Sequence, residues 1–466
     1  MITSHSCVLR CTFRTESILI RQQGSLHAVV QPVRKSSLNS YQITPYCLKS
    51  KGVYLERKTG WSKLECFFID LLGVSMILPL IGPHVRDMGA SSTVVGALGS
   101  VYGALQLFSS PIVGKWSDVT GRRLSLIVCM FFTAFGYSLI GFASSIAVIV
   151  AARVILGIFK HSLNISKSFI ADAVPPSEQS SVLGTYNSFS SIGFIVGPTL
   201  GGHIAELPGG FFLMANLAGI IFLLNALIVW ILLPTSQRPT RATLQRLDSV
   251  LSPRKLISDE INFNPKRFFQ SMRKIKWNQL WDMFAIRFLL GFSIIVFRSN
   301  LNIMLQSRFN ISPRHNGYLT SYSGIVSTAA GFLVGSLTKL YKNEPRLFFS
   351  MSVFQVVILF MLGLSQSFIA FIIFFGALSL ATSVMRVVGT RLMLLRGAQE
   401  GSGVLLGLSQ SFMSIARMIS PFISGILMEI NVSIPAFLGA AATVLASILI
   451  FLYPQDKRPG LKMKKS

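Results

Sequence analysis

Twelve apolar runs, each long enough to cross a bilayer as a helix, constrain this chain more than any other feature. A hydrocarbon core of roughly 30 Å needs about 20 residues of helix. Runs of that order cover about residues 64 to 83, 92 to 113, 124 to 143, 146 to 170, 182 to 204, 211 to 233, 283 to 305, 317 to 338, 347 to 365, 368 to 390, 403 to 427 and 434 to 453. Inside lipid every backbone polar group must be satisfied within the protein, so only helices and closed barrels are open to such a chain. A barrel would read as alternating strands of about ten residues, and none occur. The expected fold class is an all-α membrane protein of twelve transmembrane helices. Only 13% of the residues are charged, where soluble domains carry about a quarter.

The formal net charge of +26 would suggest nucleic acid for a soluble protein, but here the basic residues gather in alternate loops. The linker between spans six and seven carries Arg238, Arg241, Arg246, Arg254, Lys255, Lys266, Arg267, Arg273, Lys274 and Lys276, and the C-terminal tail carries Lys457, Arg458, Lys462, Lys464 and Lys465. Loops on the other side offer Arg86, Arg308 and Arg314. Cytosolic loops are enriched in Lys and Arg, so both termini and the linker are expected in the cytosol, as an even number of spans requires. The sequons at Asn310 and Asn431 then fall on the non-cytosolic side. Cys7, Cys11, Cys47, Cys66 and Cys129 show neither metal-site spacing nor an extracellular pairing pattern and read as incidental thiols.

Residues 1 to 60 have Glu16 and Glu56 as their only acids and lack an apolar run of signal-peptide length. A basic cytosolic tail and a mitochondrial transit segment both fit that composition. The expected organisation is this tail, a six-helix bundle over 61 to 234, a linker over 235 to 280, a second six-helix bundle over 281 to 453 and a basic tail over 454 to 466. At the end of the linker Phe268, Met272 and Ile275 share one helical face among basic residues, as in a short amphipathic helix on the inner leaflet.

The two halves repeat each other. At an offset of 223 residues (407 − 184), Gly184 pairs with Gly407, Ser188 with Ser411, Phe189 with Phe412, Pro198 with Pro421, Gly202 with Gly425 and Glu206 with Glu429. Span five thus recurs as span eleven. Two pseudo-symmetric six-helix bundles, with a solute cavity between them at mid-membrane, are expected from such a repeat.

Between spans two and three lies GKWSDVTGRR, with Gly114, Asp118, Gly121, Arg122 and Arg123 at fixed spacing. This loop resembles the signature loop of the major facilitator superfamily. The resemblance implies a cytosolic gate, in which Asp118 meets the N-terminal end of a helix in the other half and Arg122 pairs with a carboxylate at the end of span four, where Asp172 stands. Ordinary topogenic charge in a tight loop is the blander reading. The second half departs from the pattern, with Lys339 where the Asp would be. Span five, GTYNSFSSIGFIVGPTLGG, resembles the antiporter motif of the drug-and-proton exchanger branch at Gly184, Gly193, Gly197, Pro198, Gly201 and Gly202. Small residues permit close helix approach, and Gly-Pro bends the span.

Span one carries Asp70 and Pro79, as in tetracycline-resistance-like members. Asp70 is either a titrating site in hydrocarbon or an edge residue that caps or pairs. In span four Arg153, Gly157, Lys160, Asn164 and Lys167 recur at helical spacing as one polar stripe, with His161 beside it. A cation facing lipid at mid-span costs about 2.5 to 3.5 kcal/mol, so the stripe is expected to face the cavity or a partner chain. Arg153 and Gly157 also match the family's span-four pattern, whose Arg is linked to proton coupling. Snorkelling of Lys167 and a satisfied core position for His161 are open alternatives. Arg287, Arg298, Arg386 and Arg417 add cations to second-half spans, which favours an anionic solute.

The sequence has no Walker-type G-x-x-x-x-G-K-[ST] and no H-E-x-x-H, so neither an ATP-driven pump nor a zinc enzyme is expected. The expected function is secondary active transport of a small organic solute by alternating access, coupled to protons. Its partners are the lipid bilayer, the solute and protons, with no cofactor, no metal and no nucleic acid, and the chain is expected to act as a monomer. A transporter-shaped scaffold or receptor without turnover is the competing reading.

Overall fold

Among the described residues the apolar runs fold as fourteen helices that make twelve crossings. In the computed structural model, the structure describes residues 31–35, 38–42, 57–173, 176–233, 277–341, 343–397 and 402–453. The amphipathic segment expected at the end of the 235–280 linker lies outside the described residues. Two compact units divide the chain, Met1–Gly60 and Trp61–Ser466. Within the first, β1 (Gln31–Lys35) pairs antiparallel with β2 (Leu38–Gln42), a hairpin that the composition of this tail did not announce. Two strands alone are marginally stable in water.

The first six crossings are α1 (Arg57–Asp87), α2 (Ser92–Thr120), α3 (Arg122–Gly141), the pair α4 (Ile146–Phe159) and α5 (Ser162–Ala173), α6 (Pro176–Ala205) and α7 (Gly210–Leu232). The second six are the pair α8 (Trp277–Ser299) and α9 (Leu301–Phe309), α10 (Pro313–Tyr341), α11 (Glu344–Leu364), α12 (Phe368–Arg396), α13 (Ser402–Ile430) and α14 (Ile434–Leu452). The fold is all-α in the second unit, with two pseudo-symmetric six-helix bundles. Leu126, Met130, Ile149, Leu156 and Phe222 centre the first bundle, and Leu347, Leu359, Phe371, Phe375 and Leu405 the second.

Among the described residues nine spans are long and apolar enough to cross a membrane. The long helices outside that set are α2, α6 and α10, and these belong to the seams where the bundles meet. Helix α2 packs on α13, and α6 packs on α10. Seam helices face protein and cavity rather than lipid, so they can carry glycine, serine and tyrosine where lipid-facing helices need leucine and isoleucine.

Each seam is tight at one end and empty at the other. The tight end, here the far end, holds the turns after α1, α6 and α13. There a Cβ on Gly96 would lie 2.3 Å from the Pro421 carbonyl oxygen, and one on Gly317 would lie 2.2 Å from that of Pro198. Towards the opposite end, where the linker joins, Gly114, Gly184, Gly331, Gly335 and Gly407 have no neighbour within 4 Å of an added Cβ. All five lie on seam helices. Among the described residues, the bundles therefore touch at the far end and part at the linker end.

The two seams are built alike. Phe422 donates its backbone N–H to the Ser100 hydroxyl at 3.0 Å, and Thr199 and Ser321 bond through their hydroxyls at 2.7 Å. Phe422 and Thr199 are 223 positions apart (422 − 199), while Ser100 and Ser321 are 221 apart (321 − 100), as are Gly96 and Gly317 (317 − 96). The repeat read in spans five and eleven thus extends to their partners, spans two and eight.

Candidate functional site

A cavity of 360 Å³ opens among α8, α10, α11, α12 and α13 of the second bundle. Four arginines line it, Arg287 and Arg298 from α8, Arg386 from α12 and Arg417 from α13. Among the described residues no acid shares that lining. Arg287 donates to the Thr390 hydroxyl at 2.9 Å. Arg298 donates to Ser379 at 2.9 Å and Ser323 at 3.1 Å, and its guanidinium lies 5.1 Å from the centre of the Phe375 ring. Arg298 Nε is buried without a partner. Arg386 is close enough to repel both Arg287 and Arg298. Hydroxyl oxygens and a ring face orient these cations without neutralising them.

In the first bundle Asp70 of α1 meets Lys160 at the join of α4 and α5. Lys160 Nζ lies 2.8 Å from Asp70 Oδ1 and 3.0 Å from Ser162 Oγ, and Ser162 Oγ donates to the same carboxylate oxygen at 2.9 Å. The ammonium also lies 4.1 Å from the centre of the Phe222 ring. Asp70 is 1% exposed and Lys160 8%, and Asp70 Oδ2 has no partner. Asp70 is thus a buried, paired carboxylate and not an exposed edge residue.

The single polar stripe expected along span four is corrected, because the helix breaks at Lys160 and His161. Helix α4 ends at Phe159, Lys160 takes ψ 66°, and α5 restarts at Ser162. The break turns Lys160 inward to Asp70, while Asn164 and Lys167 beyond it are exposed. Lys167 lies 5.8 Å from the centre of the Tyr186 ring. Freed carbonyls need partners in a membrane, and α2 supplies them: Ser109 Oγ donates to Gly157 O at 3.0 Å, and Gln106 Nε2 to Lys160 O at 3.2 Å. His161 Nε2 lies 2.7 Å from the same Ser109 oxygen. With the hydroxyl hydrogen committed to Gly157, the imidazole N–H is the donor there. Gly157 admits Leu105 of α2 against the α4 backbone. Arg153 lies 5.6 Å from the centre of the Tyr102 ring, and its Nε is buried unpartnered. Tyr102 is also within electrostatic reach of Asp70 and of Arg417.

In the signature loop, Gly121 alone joins α2 to α3, with φ 99°, a conformation in which a side chain would clash. Arg122 pairs with Asp118 and donates to Ser117 Oγ at 2.5 Å. Arg123 donates to the Trp230 carbonyl of α7, which ties the turn to its own bundle. The Asp118 side chain is 57% exposed. The side chain of Asp172, near the end of α5, lies outside the described residues, as does that of Lys339.

The span-five motif divides its labour. Gly197 and Gly201 seat α1, since a Cβ on them would meet Ser75 and the Met76 carbonyl, and Ser75 Oγ donates to Gly193 O at 3.0 Å. Pro198 and Gly202 face α10, and Gly184 stands in the open part of the seam. Two features had no expectation attached to them. One is the buried fork between Arg396 and Asp282, at 2.9 and 3.3 Å, which joins α12 to α8. The other is the role of Ser109 and Gln106 at the break, since a serine and a glutamine in a long apolar helix carry no distinctive sequence signal.

The sequence profile described as Major Facilitator Superfamily matches residues 66–354 and 283–466. The quinolone resistance protein NorA of Staphylococcus aureus is 24% identical over 406 residues, covering 85% of this chain and 96% of that protein. Multidrug resistance protein 1 of Bacillus subtilis is 25% identical over 409 residues, with the same coverage of each. Among solved structures, the human organic anion transporter MFSD10 shares the fold with a TM-score of 0.59 and 18% identity, covering 85% of this chain and 99% of that one. A bacterial homolog of the human lysosomal transporter Spinster, inward-facing and occupied, gives 0.66 and 14%, covering 86% and 97%. The family profile spans both repeats, and these relatives are matched over nearly their whole length. The chain belongs to the Major Facilitator Superfamily.

Proposed function

We propose that this chain carries a small organic anion through the arginine-lined cavity, coupled to protons and by alternating access of the two bundles. The chain is a secondary active transporter of small solutes and not an enzyme. The anionic substrate rests on one observation: Arg287, Arg298, Arg386 and Arg417 line a single cavity whose described wall holds no acid. Cations in a low-dielectric wall attract an anion and repel organic cations. Met283, Met413 and Phe348 in the same wall suit the apolar body of an organic acid. The human organic anion transporter MFSD10 shares the fold.

Coupling is assigned to the Asp70–Lys160 pair, two opposite charges held 2.8 Å apart inside the first bundle. Orientation follows the positive loops, with the linker and both termini cytosolic and the far end outside. In that frame the described state is open to the cytosol, and the latch of Gly114, Asp118, Gly121, Arg122, Arg123 and Asp172 would act when that end closes. Closure would bring Asp118 to a helix N-terminus of the second bundle. The chain acts as a multi-pass monomer in the plasma membrane or an organelle membrane. The α6 glycine pattern supports the drug-and-proton exchanger branch. The runs GKWSDVTGRR and ARVILGIFKH and the start WDMF resemble the vertebrate orphan called major facilitator superfamily domain-containing protein 9.

Purified full-length protein in liposomes, given a pH gradient and a panel of radiolabelled organic anions and cations, tests this reading. Uptake of at least one anion is expected, with Arg298→Gln and Arg386→Gln each lowering it about tenfold or more, as for one lost charged hydrogen bond. Transport of cations alone would overturn the substrate class.

A further inference from the structure

Two glutamates stand at equivalent places of the repeat on the two far-end seams. On one seam, Glu429 near the end of α13 accepts a hydrogen bond from the Thr93 backbone N–H at 3.0 Å, in the first turn of α2, and faces the Ser91 hydroxyl. On the other seam, Glu206, just past α6, faces the Arg314 backbone N–H in the first turn of α10, together with the Ser312 hydroxyl. Glu206 and Glu429 are repeat mates, 223 positions apart (429 − 206), and Thr93 and Arg314 are 221 apart (314 − 93), the spacing shared by the other seam pairs. One carboxylate from each bundle thus reaches a helix start of the other.

The receiving helices are built to need it. The first turn of an α-helix leaves unpaired N–H groups and carries partial positive charge, which an acid in that turn commonly answers. Neither α2 nor α10 has an acid there. The donor helices are built to reach. Four residues before each glutamate stands a glycine, Gly202 or Gly425, on the same helix face. A Cβ on Gly425 would lie 2.5 Å from the Ser92 carbonyl oxygen and one on Gly202 2.6 Å from that of Pro313, so each glycine brings its helix end against the start of the opposite helix.

We infer that Glu206 and Glu429 are paired positioning residues of the transport cycle, each holding the far end shut by capping a helix of the opposite bundle, and that both release before that end opens. The inference rests on alternating access but not on the substrate or on coupling. The two fasteners differ in surroundings. Glu206 also faces Arg314 and His315, and Arg314 joins Tyr318 and His203 in a hydrogen-bonded chain across the seam. Glu429 is answered by the amide and hydroxyls of Ser91 and Thr93.

The test uses the full-length chain with its native cysteines changed to serine and spin labels at Leu207→Cys and Ile369→Cys. Both positions are exposed at the far end, on different bundles. Distance distributions measured by pulsed electron resonance in lipid nanodiscs report the far-closed and far-open populations. Glu429→Gln and Glu206→Gln are each expected to raise the far-open to far-closed ratio about two- to five-fold, the range of a charge at a helix terminus. The double variant should multiply the two effects, whereas Glu344→Gln, at the linker end, should leave the ratio alone. Hydrogen exchange gives a local readout in the same variants: Glu429→Gln should deprotect the peptide containing Thr93 but not the one containing Arg314, and Glu206→Gln the reverse. An unchanged distance distribution and unchanged exchange in the double variant overturn the inference. Failed anion uptake with intact distance shifts overturns the substrate reading instead.

Discussion

At the scale of single residues, the Asp70–Lys160 pair has the highest stakes in the molecule. Each charge has left water, and the attraction between them offsets the desolvation only while both are present. Lys160→Ala would strand Asp70, whose Oδ2 is already without a partner. We predict a loss of about 3 to 5 kcal/mol, read as a lower unfolding temperature in detergent. Asp70→Asn combined with Lys160→Met should restore most of that stability and abolish the dependence of uptake on a pH gradient. Glu206 makes the complementary case outside the membrane-spanning segments. The Ser312 hydroxyl first, then the Arg314 amide and the charges of Arg314 and His315, hold its carboxyl below the usual carboxylate range. An acid whose pKa is lowered in one state stabilises that state at pH values above its ordinary pKa, and the contribution disappears as pH falls through the lowered value. Far-end closure should therefore persist through neutral pH and weaken only in acid below the ordinary carboxylate range. Because Glu429 is held low in the same way by Thr93 and Ser91, Glu206→Gln should reduce that dependence and the double variant with Glu429→Gln should flatten it, measured by the far-end label distance from about pH 7 to about pH 3.

At the scale of elements, glycine placement separates the working end of a seam from its resting end. Gly96→Ala and Gly317→Ala put a methyl group within 2.3 Å and 2.2 Å of carbonyl oxygens across the seam, and backbone cannot yield as a side chain can. Each should destabilise the far-closed state by about 1 to 3 kcal/mol, visible as a shift to the far-open distance and a lower rate of uptake. Gly331→Ala and Gly407→Ala meet nothing in the described state. They should leave its thermal stability within about 0.5 kcal/mol. An effect of these two on uptake alone would report crowding in the opposite state, when the linker end closes. The break between α4 and α5 works by a related logic: one helix gives up its own hydrogen bonds where a neighbour, through Ser109 and Gln106, takes them over.

At the scale of the whole molecule, two bundles that touch at one end and part at the other are one member of a pair of states, and a ligand or charge acts on the pair only through its difference in affinity for the two. Asp118, exposed and paired locally with Arg122, contributes little to the described state. Asp118→Asn should leave its thermal stability unchanged while lowering anion uptake at least tenfold, since the loss falls on the state that the latch would close. Equal loss of stability and uptake would count against a gating role. The membrane-spanning class, the number of crossings, the repeat of spans five and eleven and the signature loop were legible in the sequence alone, because hydrocarbon thickness and helix periodicity act locally along the chain. The hairpin in the tail, the break at Lys160 and the tight and open ends of each seam were not, because they depend on which atoms approach from other helices. A helical stripe could be read from spacing, but only Asp70, 90 residues away in the chain, decided that Lys160 would leave it. Glu206 and Glu429 could be paired by counting; that each one caps a helix of the opposite bundle required the bundles to be assembled, because a helix start shows its missing acid only when another chain segment arrives to supply it.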